Sequence, residues 1–105
     1  MSPCTEVFIF QTEAKERSRT IQVLKELQSE IIEAANGSVV SVRTLIGSDD
    51  ETTISQIYEW NDSDKAKQVN EMFFNFESAT ELQSLNKNNI YMGRLVDVPI
   101  NLFSV

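Results

Sequence analysis

The chain of 105 residues contains no histidine. This absence excludes nucleophiles activated by a histidine base, histidine general-base catalysis, and most zinc, non-haem iron and haem-ligand arrangements. The chain has one cysteine, Cys4, so an internal disulfide and a CxxC metal or redox pair are also excluded. Any chemistry must therefore use carboxylates, amides, phenols, arginine or the substrate itself.

Long apolar runs are absent as well. No run approaches the roughly 20 residues that cross a bilayer, and the opening stretch MSPCTEVFIF lacks the basic and apolar regions of a signal peptide. We therefore expect a cytoplasmic protein without membrane attachment. The net charge of −7 repels phosphate backbones, so we expect no nucleic-acid partner. The length predicts one domain over residues 1–105, with its core at about 5–98.

The first half of the sequence alternates between strand and helix patterns. Residues 6–11 predict a strand, and residues 13–36 predict a helix because apolar side chains recur at spacings of three and four. Asn36-Gly37 ends that helix, since both residue types tolerate the left-handed conformation. Residues 39–47 and 52–60 then predict a β-hairpin with the polar turn GSDDE between its strands.

The second half predicts another helix and a last strand. Asp62 or Ser63 is suited to cap the second helix, and the capping-box pattern Ser78-x-x-Glu81 indicates that this helix breaks and restarts. The polar residues 86–89, NKNN, predict a loop. Residues 90–98 predict the final strand, which Pro99 ends.

The resulting order predicts an α+β fold, a ferredoxin-like β-α-β-β-α-β sandwich with both helices on one face of an antiparallel sheet. Both faces of the predicted strands carry large apolar side chains, and an exposed apolar sheet promotes aggregation. A second copy of the chain would cover the free face, which predicts a homodimer. The alternative is a monomer whose tail, residues 101–105, folds back over part of that face.

These features resemble the antibiotic biosynthesis monooxygenase-like family of the dimeric α/β-barrel superfamily. The resemblance covers nearly all of residues 5–98 and is most specific where a strand ends in Glu59-Trp60, a short turn follows, and a helix carries Ala66, Asn70 and the stretch 73–76. It implies a dimeric α/β barrel with one pocket per subunit, between the sheet and the second helix. This chain departs from many relatives, which carry histidine near the position of Asn70.

The resemblance implies a cofactor-independent monooxygenase-like protein that acts on a small hydrophobic aromatic or polyketide-like metabolite. We expect no metal and no prosthetic group, and haem degradation is disfavoured because no histidine is present to ligate iron. The alternative is a non-enzymatic dimeric protein of the same fold that binds a small hydrophobic ligand or has a structural role. A third hypothesis, an isomerase or cyclase, needs a well-placed carboxylate, and Glu59 and Glu71 are its candidates.

The candidate site residues follow from the same stretch and its neighbours. The catalytic residue stays unknown, with three candidates: Asn70, Arg43 and Tyr58. The expected substrate-binding residues are aromatic or amide side chains: Trp60, Tyr58, Asn70, Phe73, Phe74 and Tyr91. Arg94 is a weaker candidate in the last strand.

Each candidate also has a structural interpretation. Trp60 and the phenylalanines would simply pack in the core, and Arg43 would pair with an acidic residue across the dimer. The acidic turn at residues 49–51 lacks the loop of an EF-hand, so we expect no metal site there.

Overall fold

The computed structural model describes residues 2–99. Its elements follow the predicted order, with the second helix divided into two. The strands and α-helices are β1 (Cys4–Gln11), α1 (Arg17–Ala35), β2 (Val39–Ile46), β3 (Thr53–Trp60), α2 (Ser63–Glu71), α3 (Glu77–Leu85) and β4 (Asn88–Leu95). Two short 3-10 helices, Ala14–Glu16 and Phe73–Asn75, precede α1 and α3 respectively. Within this part of the chain, no helix is both long enough and apolar enough to cross a membrane.

The four strands form one antiparallel sheet in the order β2-β3-β1-β4. This order places the β2–β3 hairpin beside β1 and returns β4 to the other side of β1, as in a ferredoxin-like fold. The predicted α+β, ferredoxin-like fold class is therefore confirmed. The predicted barrel requires a second copy of the chain, and it stays a prediction.

The core lies between one face of this sheet and the helices. Alternate residues of the central strands point to that face because side chains alternate along a strand. The buried side chains of β1 and β3 there are Cys4, Glu6, Phe8, Phe10, Ile54, Gln56, Tyr58 and Trp60. From α1, Leu24, Leu27 and Ile31 complete the packing, as the helical spacing predicted. The helix ends as predicted, with Asn36 in the left-handed conformation at φ 50°.

The second helical region is interrupted at a position that the sequence approximately predicted. Asp62 caps α2 by accepting hydrogen bonds from the backbone N–H groups of Asp64 and Lys65. The start of α3 is capped differently from the prediction. The carboxylate of Glu30 on α1 accepts hydrogen bonds from the backbone N–H groups of Glu77 and Ser78 at 2.8 and 3.1 Å. The predicted capping box is wrong, because Ser78 lies inside α3 rather than at its N-cap, and Glu30 rather than Glu81 accepts the Ser78 N–H.

The predicted loop at residues 86–89 is also partly wrong. Asn88 and Asn89 belong to β4, where they pair with the end of β1, and the strand ends at Leu95. Polar residues are tolerated in this edge strand because its outer side faces solvent. The side chain of Asn88 adds a hydrogen bond to Gln11 Oε1 at 2.9 Å.

We call the face of the sheet opposite the helices the open face. It presents apolar side chains from all four strands, including Leu45, Ile57, Ile9 and Leu95. Leu45 and Leu95 are 38 % and 49 % exposed. The predicted apolar character of both faces is therefore confirmed. The alternative cover, the tail at residues 101–105, lies outside the described residues.

Candidate functional site

A cavity of about 340 Å³ lies between the sheet and the helical break after α2. Its size falls within the range of small-molecule sites, about 300–1,000 Å³. Strands β1 and β4 form its floor, and the end of α2 with the following 3-10 helix forms its roof. The residues that line it are Glu6, Phe8, Asn70, Phe73, Phe74, Met92, Gly93 and Arg94.

Most of the cavity wall is apolar. Phe8 and Met92 face each other across neighbouring strands, and Phe73 and Phe74 come from the helical break. The two consecutive phenylalanine rings pack edge to face, with centroids 5.3 Å apart and planes at 88°. Phe74 is 69 % exposed, so its ring stands at the mouth of the cavity rather than in the core. This wall suits a planar, hydrophobic ligand.

Three polar side chains meet at one end of the cavity. Glu6 on β1 pairs in register with Arg94 on β4, and Arg94 Nη1 lies 3.9 Å from Glu6 Oε2. Asn70, near the end of α2, donates a hydrogen bond from Nδ2 to the same carboxylate oxygen. A carboxylate, a guanidinium and an amide therefore share one side of an otherwise apolar cavity.

Glu6 is the most unusual of these groups because its side chain is only 1 % exposed. Burial raises the pKa of the Glu6 carboxyl, and the hydrogen bond from Asn70, the charge of Arg94 and the Trp60 indole offset this only in part. Glu6 Oε1 and Trp60 Nε1 have no hydrogen-bond partner among residues 2–99. The nearby indole lowers the pKa, but its N–H does not reach a good hydrogen-bond geometry.

Trp60 and Tyr58 are placed in the core, beside the cavity but not in its lining. Tyr58 donates a hydrogen bond to Gln56 Oε1 at 2.8 Å, and Gln56 donates in turn to Thr44 Oγ1 at 3.1 Å. Burial and the negative charge of Glu6 raise the pKa of Tyr58 far above its usual range. Tyr58 is therefore held as a neutral phenol.

Arg43 and Tyr91 lie on the open face, away from the cavity. Arg43 pairs with Ile57, and Tyr91 pairs with Ile9. The ring of Tyr91 lies over Gly93, where an added Cβ would approach the Tyr91 hydroxyl to 2.6 Å. Of the predicted site residues, the structure thus brings together Asn70, Phe73 and Phe74, and it separates them from Arg43 and Tyr91.

Glu6 was not among the predicted site residues, and Arg94 was only a weaker candidate. The signal that could have found Glu6 is its alternation with Phe8 and Phe10, which places a carboxylate on the buried face of a strand. The candidates for a carboxylate-dependent reaction, Glu59 and Glu71, are both exposed. Among residues 2–99, no group of three histidine, cysteine, aspartate or glutamate side chains is arranged to hold a metal ion.

The sequence matches no family model and no curated protein. Solved structures, in contrast, share the whole fold. SnoaB from Streptomyces nogalater, a cofactor-independent oxygenase, superposes with a TM-score of 0.78 at 16 % identity, covering 94 % of this chain and 96 % of that one. A candidate antibiotic biosynthesis monooxygenase from Caulobacter crescentus CB15 gives 0.78 at 8 % identity over 93 % and 92 %. Another from Chloroflexus aurantiacus gives 0.74 at 14 % over 93 % and 95 %.

The chain has the antibiotic biosynthesis monooxygenase fold. The resemblance predicted from the strand end and second helix is thereby confirmed for the architecture. Because the identities are 16 % or less in these three comparisons, they establish the antibiotic biosynthesis monooxygenase fold and not the reaction.

Proposed function

We propose that this chain is a cofactor-independent monooxygenase-like protein that acts on a small hydrophobic aromatic or polyketide-like metabolite. The observation that carries the proposal is the cavity beside α2, whose apolar wall ends in Glu6, Asn70 and Arg94. The shared fold with SnoaB, described as a cofactor-independent oxygenase, supports the same activity.

In this reaction the substrate itself reduces dioxygen. Loss of a proton from an electron-rich phenol or enol leaves an electron pair on a ring carbon, and that pair forms a bond to one oxygen atom. The peroxide then loses water as its O–O bond breaks and a carbonyl group forms. The substrate loses four electrons and dioxygen gains four, so no further reductant is needed.

The protein's contribution is to hold and shield the substrate. The phenylalanine rings bind its flat body and cover part of it from water. The amide of Asn70 and the guanidinium of Arg94 hold the substrate oxygen as negative charge develops on it. Arg94 is 33 % exposed, so the polar end of the cavity stays accessible to a substrate hydroxyl.

The test is dioxygen consumption and product formation with a panel of polycyclic phenols. Wild-type turnover and a marked loss in Asn70→Ala would support the proposal. Asn75→Ala is the matched control, because Asn75 is exposed in the same helical region and does not line the cavity. Absence of turnover across the panel, or full activity in Asn70→Ala, would contradict the assignment.

The second candidate function is a non-enzymatic dimeric protein that binds a ligand or has a structural role. It is favoured by the placement of Trp60 and Tyr58 in the core, because few side chains that could take part in a reaction then face the cavity. Native mass spectrometry of the purified protein with the same phenols separates the two. Stoichiometric binding without turnover supports the second function, and binding with turnover supports the first.

A homodimer belongs to both proposals. In it, the open face of one copy packs against the open face of the other, which removes exposed apolar side chains from water. Leu45→Glu should dissociate this dimer, whereas Ile32→Glu should not, because Ile32 is a comparably exposed residue on α1. Light scattering after gel filtration measures the mass of each variant. A monomeric wild-type protein would refute the dimer.

A further inference from the structure

The carboxylate of Glu6 lies where a charged group is costly to keep. It is on the buried face of β1 between Cys4 and Phe8, and it belongs to the cavity wall. Burying a carboxylate destabilises a fold unless it is well paired, and an apolar residue of similar size would pack as well. Buried ionisable groups that line a cavity are therefore candidates for function.

The pairing of Glu6 is incomplete. Its Oε2 accepts the hydrogen bond from Asn70 and faces Arg94, whereas its Oε1 has no hydrogen-bond partner among residues 2–99. The other titratable groups near it are the Cys4 thiol and the Tyr58 phenol, whose pKa values are both raised. Both of those groups stay neutral near pH 7, so Arg94 is the cation that faces Glu6. Oε1 is therefore the carboxylate oxygen of Glu6 that holds no hydrogen bond, and it is itself buried.

A buried carboxylate beside a cation, in the wall of an apolar cavity, can remove a proton from carbon next to a carbonyl group. The base takes the proton, and the cation stabilises the enolate oxygen. We infer that Glu6 is the catalytic base of an oxygen-independent proton transfer in this cavity, which interconverts the keto and enol forms of a neutral, apolar carbonyl compound. This activity uses the cavity of the proposed function but not its reaction with dioxygen.

The proposed step is balanced within the site. The C–H bond next to the carbonyl breaks, its electron pair forms a C=C bond, and the carbonyl π pair moves to oxygen beside Arg94. The proton moves to Glu6 and later returns to carbon or to the enolate oxygen. Nothing is oxidised or reduced, and the total charge of the site is unchanged.

The site also restricts the chemical class of ligand. A carboxylate ligand would place a second negative charge beside Glu6, with Arg94 as the neighbouring cation, so neutral ligands are favoured. A carboxylate is a weak base, about six pKa units weaker than a phenolate. It can therefore remove a proton only from a C–H group that an aromatic ring or a second carbonyl group makes more acidic. A cavity of about 340 Å³ is suited to a bicyclic compound.

The experiment measures hydrogen–deuterium exchange of two bicyclic probes, 2-tetralone and 2-indanone, in D₂O without dioxygen. NMR follows loss of the signals of protons next to the carbonyl. Wild-type protein should accelerate exchange above buffer, and Glu6→Gln should lose about a hundredfold of that acceleration. Glu71→Gln is the matched control, because it removes an exposed carboxylate from the adjoining helix and should retain the wild-type rate.

The pH profile adds a readout that a purely structural role would not change. Wild-type acceleration should rise with pH as Glu6 loses its proton, and no such rise should remain in Glu6→Gln. Glutamine keeps an oxygen that accepts from Asn70, so we expect this variant to fold, which circular dichroism checks. If it does not fold, Arg94→Met retains the carboxylate, removes the charge at the enolate oxygen, and should slow exchange at least tenfold.

The outcomes separate this inference from the proposed function. Exchange without dioxygen, lost in Glu6→Gln, supports the inference even if the phenol panel shows no dioxygen consumption. Failure of the wild-type protein to accelerate exchange of either probe overturns it, even if the phenols are oxidised. Equal acceleration by wild-type protein and folded Glu6→Gln also overturns it.

Discussion

The hydrogen bonds from Glu30 to the start of α3 lead to a stability prediction for Glu30→Ala. The Glu30 carboxylate accepts the backbone N–H groups of Glu77 and Ser78, and it also accepts the Ser78 hydroxyl. It thereby joins α1 to α3 immediately after the segment that carries Phe73 and Phe74. Alanine removes the acceptor for all three donors and the negative charge at a helix N-terminus.

The size of the effect follows from these groups. Loss of a helix cap costs about 0.5–2 kcal/mol, and a charge at a helix N-terminus contributes about 0.3–1 kcal/mol. Ser78 is buried at 5 % exposure, so water replaces only part of the lost bonding. We expect Glu30→Ala to lower the free energy of unfolding by about 2 kcal/mol, which corresponds to a Tm lower by about 9 °C for a domain of this size. Glu30→Gln keeps an acceptor oxygen and should lose about 1 kcal/mol.

The assay is urea unfolding followed by circular dichroism at one fixed protein concentration, because a dimer's stability depends on concentration. Hydrogen exchange at the amides of Glu77 and Ser78 should become faster in Glu30→Ala. Glu33→Ala, an exposed position one turn along α1, is the control and should change little. The hydrogen bonds from Ser78 and its neighbour lower the pKa of Glu30 despite its partial burial, so the difference between wild type and variant should narrow below pH 4.5. A change below about 0.5 kcal/mol at pH 7 would refute the reasoning.

Three further perturbations test other parts of the structure. Hydrogen bonds, chiefly from the Thr52 hydroxyl, lower the pKa of Asp50 to about 2. Asp50→Asn should therefore reduce Tm at pH 7 and much less at pH 2, measured by thermal melts across that range. Asn70→Ala should cost about 1–2 kcal/mol at pH 7 in urea titrations and less at pH 4, where the raised pKa keeps Glu6 protonated. Phe74→Ala should change stability by less than about 0.5 kcal/mol but weaken 2-naphthol binding about tenfold in a fluorescence titration, because the ring is exposed at the cavity mouth.

The fold was largely predictable because its elements carry strong local patterns. The apolar spacing of α1, the stop at Asn36 and the cap at Asp62 are each set by neighbours in sequence. The errors occur where distant residues decide the outcome. Glu30 caps α3 from another helix, and pairing with β1 extends β4 back to Asn88, within the polar stretch 86–89. Neither partner can be identified from the local sequence alone.

The candidate site was only partly predictable for the same reason. Asn70, Phe73 and Phe74 belong to one helical region, so their proximity follows from sequence order. The strand pattern correctly placed Tyr58 and Trp60 on one face, but it does not reveal whether that face at that point is core or cavity wall. Whether that part of the face is core or cavity wall depends on how closely α1 packs against the sheet. That packing in turn depends on all the side chains between the sheet and the helices.

The register between β1 and β4 connects the fold to the proposed chemistry. Glu6 and Arg94 are directly opposite each other, and the strand pairing shifts between Ile9 and Phe10. Because side chains alternate across a strand, a slip of one residue in β4 would move Arg94 to the open face and leave Glu6 without its cation. Beyond the shift at Ile9, the first residue of β4, Asn88, pairs with Gln11, while Arg94 remains opposite Glu6. In a chain without histidine, this register places a carboxylate and a cation together in one cavity.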